Sequence, residues 1–291
     1  MEFIQQLVNG LSLGSVYALI ALGYTMVYGI IKLINFAHGE VYMLGAFIGY
    51  FVINTFQLSF FPALLVSMLA CAAIGVIIEF LAYRPLRNST RIAALITAIG
   101  VSFLLQNLMI YFVKSDRRAF PQIIRNQNYD LKLFTISKIE LLILSTAVIL
   151  MILLQLVVKY TKMGKAMRAV SVDADAAQLM GINVNRTISF TFAIGSALAG
   201  AGGVLIGLYY NSIDPMMGVA PGLKAFIAAV LGGIGIIPGA ALGGFTIGVV
   251  ETIVSALGYT AYKDAVVYAI LIIILLIRPS GLLGKNVKEK V

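Results

Sequence analysis

The feature that most constrains this chain is a series of long apolar runs. Residues 7–31, 41–56, 61–83, 92–113, 141–158, 188–210, 240–257 and 265–277 are almost free of charge. Runs near 20 residues match the hydrocarbon thickness of a bilayer at the rise of an α-helix. A ninth piece, 225–237, is shorter and Gly-rich. It reads as a tilted span or a re-entrant segment, tolerable only where protein covers its backbone. The expected fold is therefore all-α: a polytopic integral membrane protein with about eight spanning helices and one short segment, residues 1–291 forming a single transmembrane domain. With 60% hydrophobic and 11% charged residues, the 291-residue chain lacks the charge of a soluble domain of its size.

The formal net charge of +9 would suggest nucleic acid in a soluble protein. Here the basic residues cluster between apolar runs, so no nucleic-acid partner is expected. The first residues lack the basic region and cleavage site of a signal peptide, so the first run is read as a retained span. Arg84, Arg87 and Arg91, then Lys159, Lys162, Lys165, Arg168 and Arg186, then Lys285, Lys288 and Lys290 mark cytoplasmic segments. These agree only if 225–237, or something equivalent, crosses. The N-terminus is then outside. One loop dissents: 114–138 carries six basic residues, yet parity makes it extracytoplasmic.

Polar groups within apolar runs need a partner or a purpose. The densest cluster is Asn35-Phe36-Ala37-His38-Gly39-Glu40. His38 and Glu40 are about 200° apart on a helix, so they cannot form an acid–base pair on one face. Two readings stand: a polar turn capping the second helix, or a broken-helix element lining a solute path. Ser102 and Gln106 share one face of the fourth run, as interhelical hydrogen-bond formers or path residues. Glu79 is placed to pair with Arg84. Glu251 has no neighbour in sequence to pair with, so it is either a functional carboxylate or the partner of a distant Lys or Arg. One His and one Cys give no metal ligand set, and no cofactor is expected. No nucleophile–base set and no Gly-x-x-x-x-Gly-Lys-Ser/Thr phosphate loop occur, so any ATP hydrolysis belongs to another polypeptide.

The glycines are organised. Gly195, Gly200, Gly202, Gly203 and Gly207 allow close helix approach, whereas Gly232-Gly233-Ile234-Gly235 with Pro238-Gly239 reads as a break between two segments. Residues 163–186 differ from their surroundings. They are Ala-rich and amphipathic, suggesting one or two short helices across the cytoplasmic face, with Gly164 and Gly181 permitting sharp turns at the ends.

At this stretch the chain resembles a known family. Gly164-Lys165-Ala166-Met167-Arg168-Ala169, Asp173 and Leu179-Met180-Gly181-Ile182 are similar to the ATPase-coupling loop of branched-chain amino-acid ABC transporter permeases. Leu33 to Glu40 with Met43-Leu44-Gly45-Ala46 resembles the LivH-type signature. Gly222 to Phe226, Leu231 to Gly235 and Arg278 to Gly284 match as well. The resemblance implies a non-enzymatic transport subunit of an inner-membrane importer. Its partners would be a second, LivM-type permease, two ATP-binding subunits and a periplasmic solute-binding protein. Permeases for urea and short amides carry similar signatures. An ion-coupled carrier, with Glu251 or Glu40 binding the ion, is the rival class.

On that basis Asn35, His38, Glu40, Ser102, Gln106 and Glu251 are candidates for the substrate path. Gly164, Lys165, Ala166, Arg168, Asp173, Leu179, Met180 and Gly181 are candidates for ATPase coupling. Arg117, Arg118 and Arg125 are candidates for docking the binding protein, since Arg pairs carboxylates bidentately.

Overall fold

Among the described residues of the computed structural model, eight helices are long and apolar enough to cross a membrane, one for each predicted run. The structure describes residues 2–87, 89–124, 127–130, 132 and 134–284. In chain order the helices are α1 (Glu2–Ile31), α2 (His38–Phe56), α3 (Phe60–Ile78), α4 (Arg91–Val113), α5 (Lys138–Tyr160), α6 (Lys162–Val172), α7 (Ala174–Leu179), α8 (Val184–Tyr210), α9 (Val219–Gly232), α10 (Ile237–Ala256) and α11 (Lys263–Ile277). A π-helical turn, Glu79–Tyr83, extends α3. Two small antiparallel ribbons join the loops: β1 (Arg118–Ala119) pairs with β4 (Ser212–Ile213), and β2 (Asn128–Asp130) with β3 (Thr135–Ser137).

The two most buried spans are α1 and α8, with 78% and 83% of their most apolar windows covered, against 6% for α11. Small residues explain the centre. A methyl group on Gly248 of α10 would lie 2.3 Å from Gly14 Cα of α1, so the two backbones touch where neither carries a side chain. Helices α4, α5 and α11 form the rim and present Phe, Leu and Ile outward, as lipid or a partner helix requires.

The connections sort into two faces. Gln5 at the start of α1 exchanges hydrogen bonds of 2.8 Å with the backbone of Thr135, which places the 114–138 loop on the N-terminal face. β4 joins that face through β1. On the opposite face, Gly235 lies beside Gly29 near the end of α1, and Leu282 N–H donates to Leu231 O at 2.8 Å. The chain therefore passes from one face at Ile213 to the other at Gly235. The short segment does cross, as an irregular entry followed by a 14-residue helix. This corrects the predicted 225–237 boundaries: α9 starts earlier, at Val219, because the charge of Lys224 is accommodated by ion pairs. The predicted break is present at 233–236, where Gly233 and Gly235 have φ of +106° and +93°.

Candidate functional site

The entry to α2 is a re-entrant corner. The chain leaves α1 at Ile31, and His38 then packs back against Gly23, about 12 Å from the end of α1. The capping reading of this polar turn does not hold, because α2 starts with Ala37 at its N-cap and no side-chain cap bond. Instead the cluster is buried. Asn35 Oδ1 accepts a 3.1 Å bond from the Tyr83 hydroxyl, and His38 lies edge-on to Tyr24 at 4.8 Å between centroids. A methyl on Gly23 would sit 2.2 Å from His38 Nε2, so this glycine is the pocket for the imidazole.

Glu40 points elsewhere. It is 1% exposed. Its Oε1 accepts a long 3.3 Å bond from the Ser102 hydroxyl of α4, and its Oε2 has no partner among the described residues. That oxygen faces the start of α9: a methyl on Gly218, the N-cap of α9, would lie 2.8 Å from it and 2.5 Å from Gly39 O. Two helices therefore begin side by side at the glycines Gly39 and Gly218. Gln106, one turn after Ser102, is buried on α4.

Glu251 lies in a different place and has different partners. Its Oε1 is 2.9 Å from Lys224 Nζ and 3.0 Å from Lys263 Nζ, while its Oε2 accepts a 2.8 Å bond from the Tyr17 hydroxyl. Lys224 also reaches Asp264 at 2.7 Å. Two ammonium groups and two carboxylates cancel, so the cluster needs no further ion, and it ties α9 to α10 and α11. Of the six predicted path residues, a side-chain hydrogen bond among the described residues joins Glu40 with Ser102, and a backbone bond of 3.0 Å joins His38 N–H to Asn35 O. Glu251 is thus the partner of distant lysines, one of its two predicted roles; which lysines they are was not read from the sequence, although Lys224 beside an apolar run was a visible signal.

At the opposite end, Glu79 is fully buried and pairs with Arg84 as expected, at 3.0 Å. Arg87 joins the same carboxylate, and Ser189 of α8 donates to it at 2.8 Å. This anchors α3 on α8 beside the 162–183 element. There α6 and α7 form the two predicted short helices, each with its own cap: Thr161 accepts from Gly164 N–H at 3.0 Å, and Asp173 accepts from Asp175 and Ala176 N–H at 2.9 Å.

Two readings of single residues change here. Gly164 is not a turn but lies inside the first turn of α6, where a methyl would be 2.3 Å from Val157 O and Val158 O. Arg168 folds back to donate to Val158 O and Lys159 O, closing the end of α5. Gly181, with φ of +83°, is the turn residue expected. Lys165 is exposed and Ala166 half-buried. Val172, Leu179 and Met180 stand 88%, 89% and 83% exposed. A hollow of about 850 Å³ lies between this element and the Arg84–Arg87 turn.

On the N-terminal face, Arg117 is largely exposed and 3.9 Å from Asp214. Arg118 is committed: it donates to Val113 O at 3.0 Å and lies over the Tyr50 ring. Arg125 lies outside the described residues, as do Lys285, Lys288 and Lys290.

Comparison with known proteins adds the following. The family profile described as branched-chain amino acid transport system / permease component matches residues 6–275. The high-affinity branched-chain amino acid transport system permease protein LivH of Escherichia coli K12 is 44% identical over 306 residues, covering 100% of this chain and 98% of the relative. The corresponding protein BraD of Pseudomonas aeruginosa is 44% identical over 302 residues with the same coverage. A probable branched-chain amino acid transport permease protein LivH of Methanocaldococcus jannaschii is 29% identical over 287 residues, covering 93% and 89%. No solved structure matches.

Proposed function

Given that the chain belongs to the branched-chain amino acid transport system permease family, we propose that it carries branched-chain amino acids across the inner membrane as one subunit of a binding-protein-dependent importer. ATP is hydrolysed by two separate subunits, and a second related permease completes the path. The observation that carries the reading is identity of 44% along the whole length of relatives named for this transport. That extent includes every element described above, not one motif.

The division of labour has a physical basis. Val172, Leu179 and Met180 are apolar side chains held in water by two capped helices and the Gly181 turn. Burial of such side chains in a partner's cleft contributes about 1.5–3 kcal/mol each. Helices α6 and α7 are thus a fit for a groove on an ATPase subunit, and their anchorage through Arg168 and Gly164 lets a displacement pass into α5 as a rigid movement. Lys165 and Asp173 differ in role: Lys165 offers charge at the contact, whereas Asp173 acts by capping α7. On the other face Arg117 is the exposed candidate for an acidic patch of the binding protein.

The test is uptake of labelled leucine into proteoliposomes holding the full complex, with urea and other amino acids as competitors. ATP-driven leucine uptake that leucine and valine displace and urea does not is the expected result. Replacement of both Leu179 and Met180 by Asp should leave the membrane domain folded and remove the ATPase subunits on copurification. Retention of both would sink the assignment of the coupling element.

A further inference from the structure

We propose that Glu40 is the specificity-determining carboxylate of the path, receiving the α-ammonium of the amino acid while the uncapped start of α9 receives its α-carboxylate. The inference rests on the reading that this chain transports amino acids. It goes further in naming the group that distinguishes them from neutral solutes.

Four observations carry it. First, Glu40 is 1% exposed and, among the described residues, has no cation within ion-pair distance. A buried charge normally has a partner or a purpose, because leaving it unpaired in an apolar setting is costly. Second, the oxygen without a hydrogen bond is the one aimed at Gly218. Third, the start of α9 lacks its own anionic complement: Gly218 offers no side chain, and no acidic residue occupies the first turn. Val219 N–H donates to Met216 O, Gly222 N–H donates to Gly218 O and Pro221 has no N–H, so the donor left over in this turn, among the described residues, is Ala220 N–H. Helix N-termini carry partial positive charge and free N–H donors, which suit a carboxylate. Fourth, Ser102 adds a second oxygen beside Glu40 and is itself half-buried, so the pair is reached from the α4 side.

The arrangement is a pair of opposite poles set side by side. An ammonium has three donors, and Glu40 Oε1, Glu40 Oε2 and Ser102 Oγ are three acceptors in one place. A carboxylate brought in with that ammonium meets the Ala220 N–H and the positive end of α9. Glu40 is covered in this conformation while Val219 and Ala220 at the start of α9 are exposed, so the solute must part the wall over Glu40. Helix α4 is the wall suited to move, since its main contacts are with α2 and the turn ending α3, and most of its surface faces outward. A solute with no ammonium leaves Glu40 unpaired and gains nothing in return.

Thiol protection tests this in the complete complex. Cys71 is fully buried, so a single Val219→Cys substitution, at the exposed first residue of α9, gives an addressable thiol. Leucine and 3-methylbutylamine should each slow alkylation of that thiol. Adding Glu40→Gln should raise the leucine concentration for half-protection at least tenfold and cut ATP-driven leucine uptake by a similar factor. Protection by 4-methylpentanoate, which has no ammonium, should not change. Uptake and protection equal to the parent in the Glu40→Gln complex overturn the proposal, as does 3-methylbutylamine protecting no better than 4-methylpentanoate. If Glu40→Gln does not assemble, Ser102→Ala takes its place and should weaken leucine protection severalfold; no change there overturns the proposal too. A parent complex that imports no leucine at all defeats the proposed function instead, so the two failures are distinct.

Discussion

Glu251 and Glu40 are both buried carboxylates on apolar helices, and their surroundings differ in every respect. Glu251 has two lysines and a tyrosine hydroxyl within 3.0 Å, in a neutral cluster that joins four helices, α1, α9, α10 and α11. Glu40 has one long bond from a serine and an oxygen facing a glycine. A fully paired charge has no capacity left for a solute and serves to hold helices in register. A carboxylate with an unused oxygen stabilises nothing by itself and is placed to act when something arrives. Burial alone therefore does not identify a functional carboxylate in a membrane; the count of its partners does.

The difference can be attacked from its strong side first. Lys224→Met leaves Glu251 with Lys263 and Tyr17 and takes from Asp264 its close cation. Removal of one member of a buried ion cluster costs about 3–5 kcal/mol, so the purified protein should melt well below the parent in detergent. The double variant Lys224→Met with Glu251→Leu should recover part of that loss. A single variant as stable as the parent would mean that the cluster does not hold α9 in place.

A smaller effect is expected from Gly218→Ala. Its methyl would enter the space of Glu40 Oε2 and Gly39 O, and overpacking of this kind costs about 1–3 kcal/mol. Uptake should suffer more than stability, because the methyl separates the two helix starts. Normal uptake in this variant would show that the approach of Gly39 and Gly218 is not needed for transport.

The smallest effect on stability belongs to Glu40→Gln, within about 1 kcal/mol of the parent, since little is lost when an incompletely bonded charge is replaced by a neutral isostere. A large drop in melting temperature would place Glu40 beside Glu251 as a structural residue and dissolve the comparison.

Much of this protein was legible along the chain. Eight apolar runs gave eight spanning helices, and the Gly232 to Gly235 stretch gave the break between α9 and α10. Residues 163–186 were readable as paired short helices because their caps, Thr161, Asp173 and Asn183, are local. The role of Gly164 was not readable, because what it approaches is the carbonyl end of another helix.

Sequence by itself determined the spans, the faces and the short helices α6 and α7, since hydrophobic length, charge between runs and helix caps act over a few residues. Tertiary structure alone decided which polar residues distant in sequence meet. Lys224 and Glu251 stand 27 residues apart, Tyr17 and Glu251 234 apart, and Glu40 and Ser102 62 apart. In an apolar medium, a charge is neutralised by whichever helix packs next to it, and that neighbour is chosen by close glycine contacts such as Gly14 with Gly248 and Gly39 with Gly218.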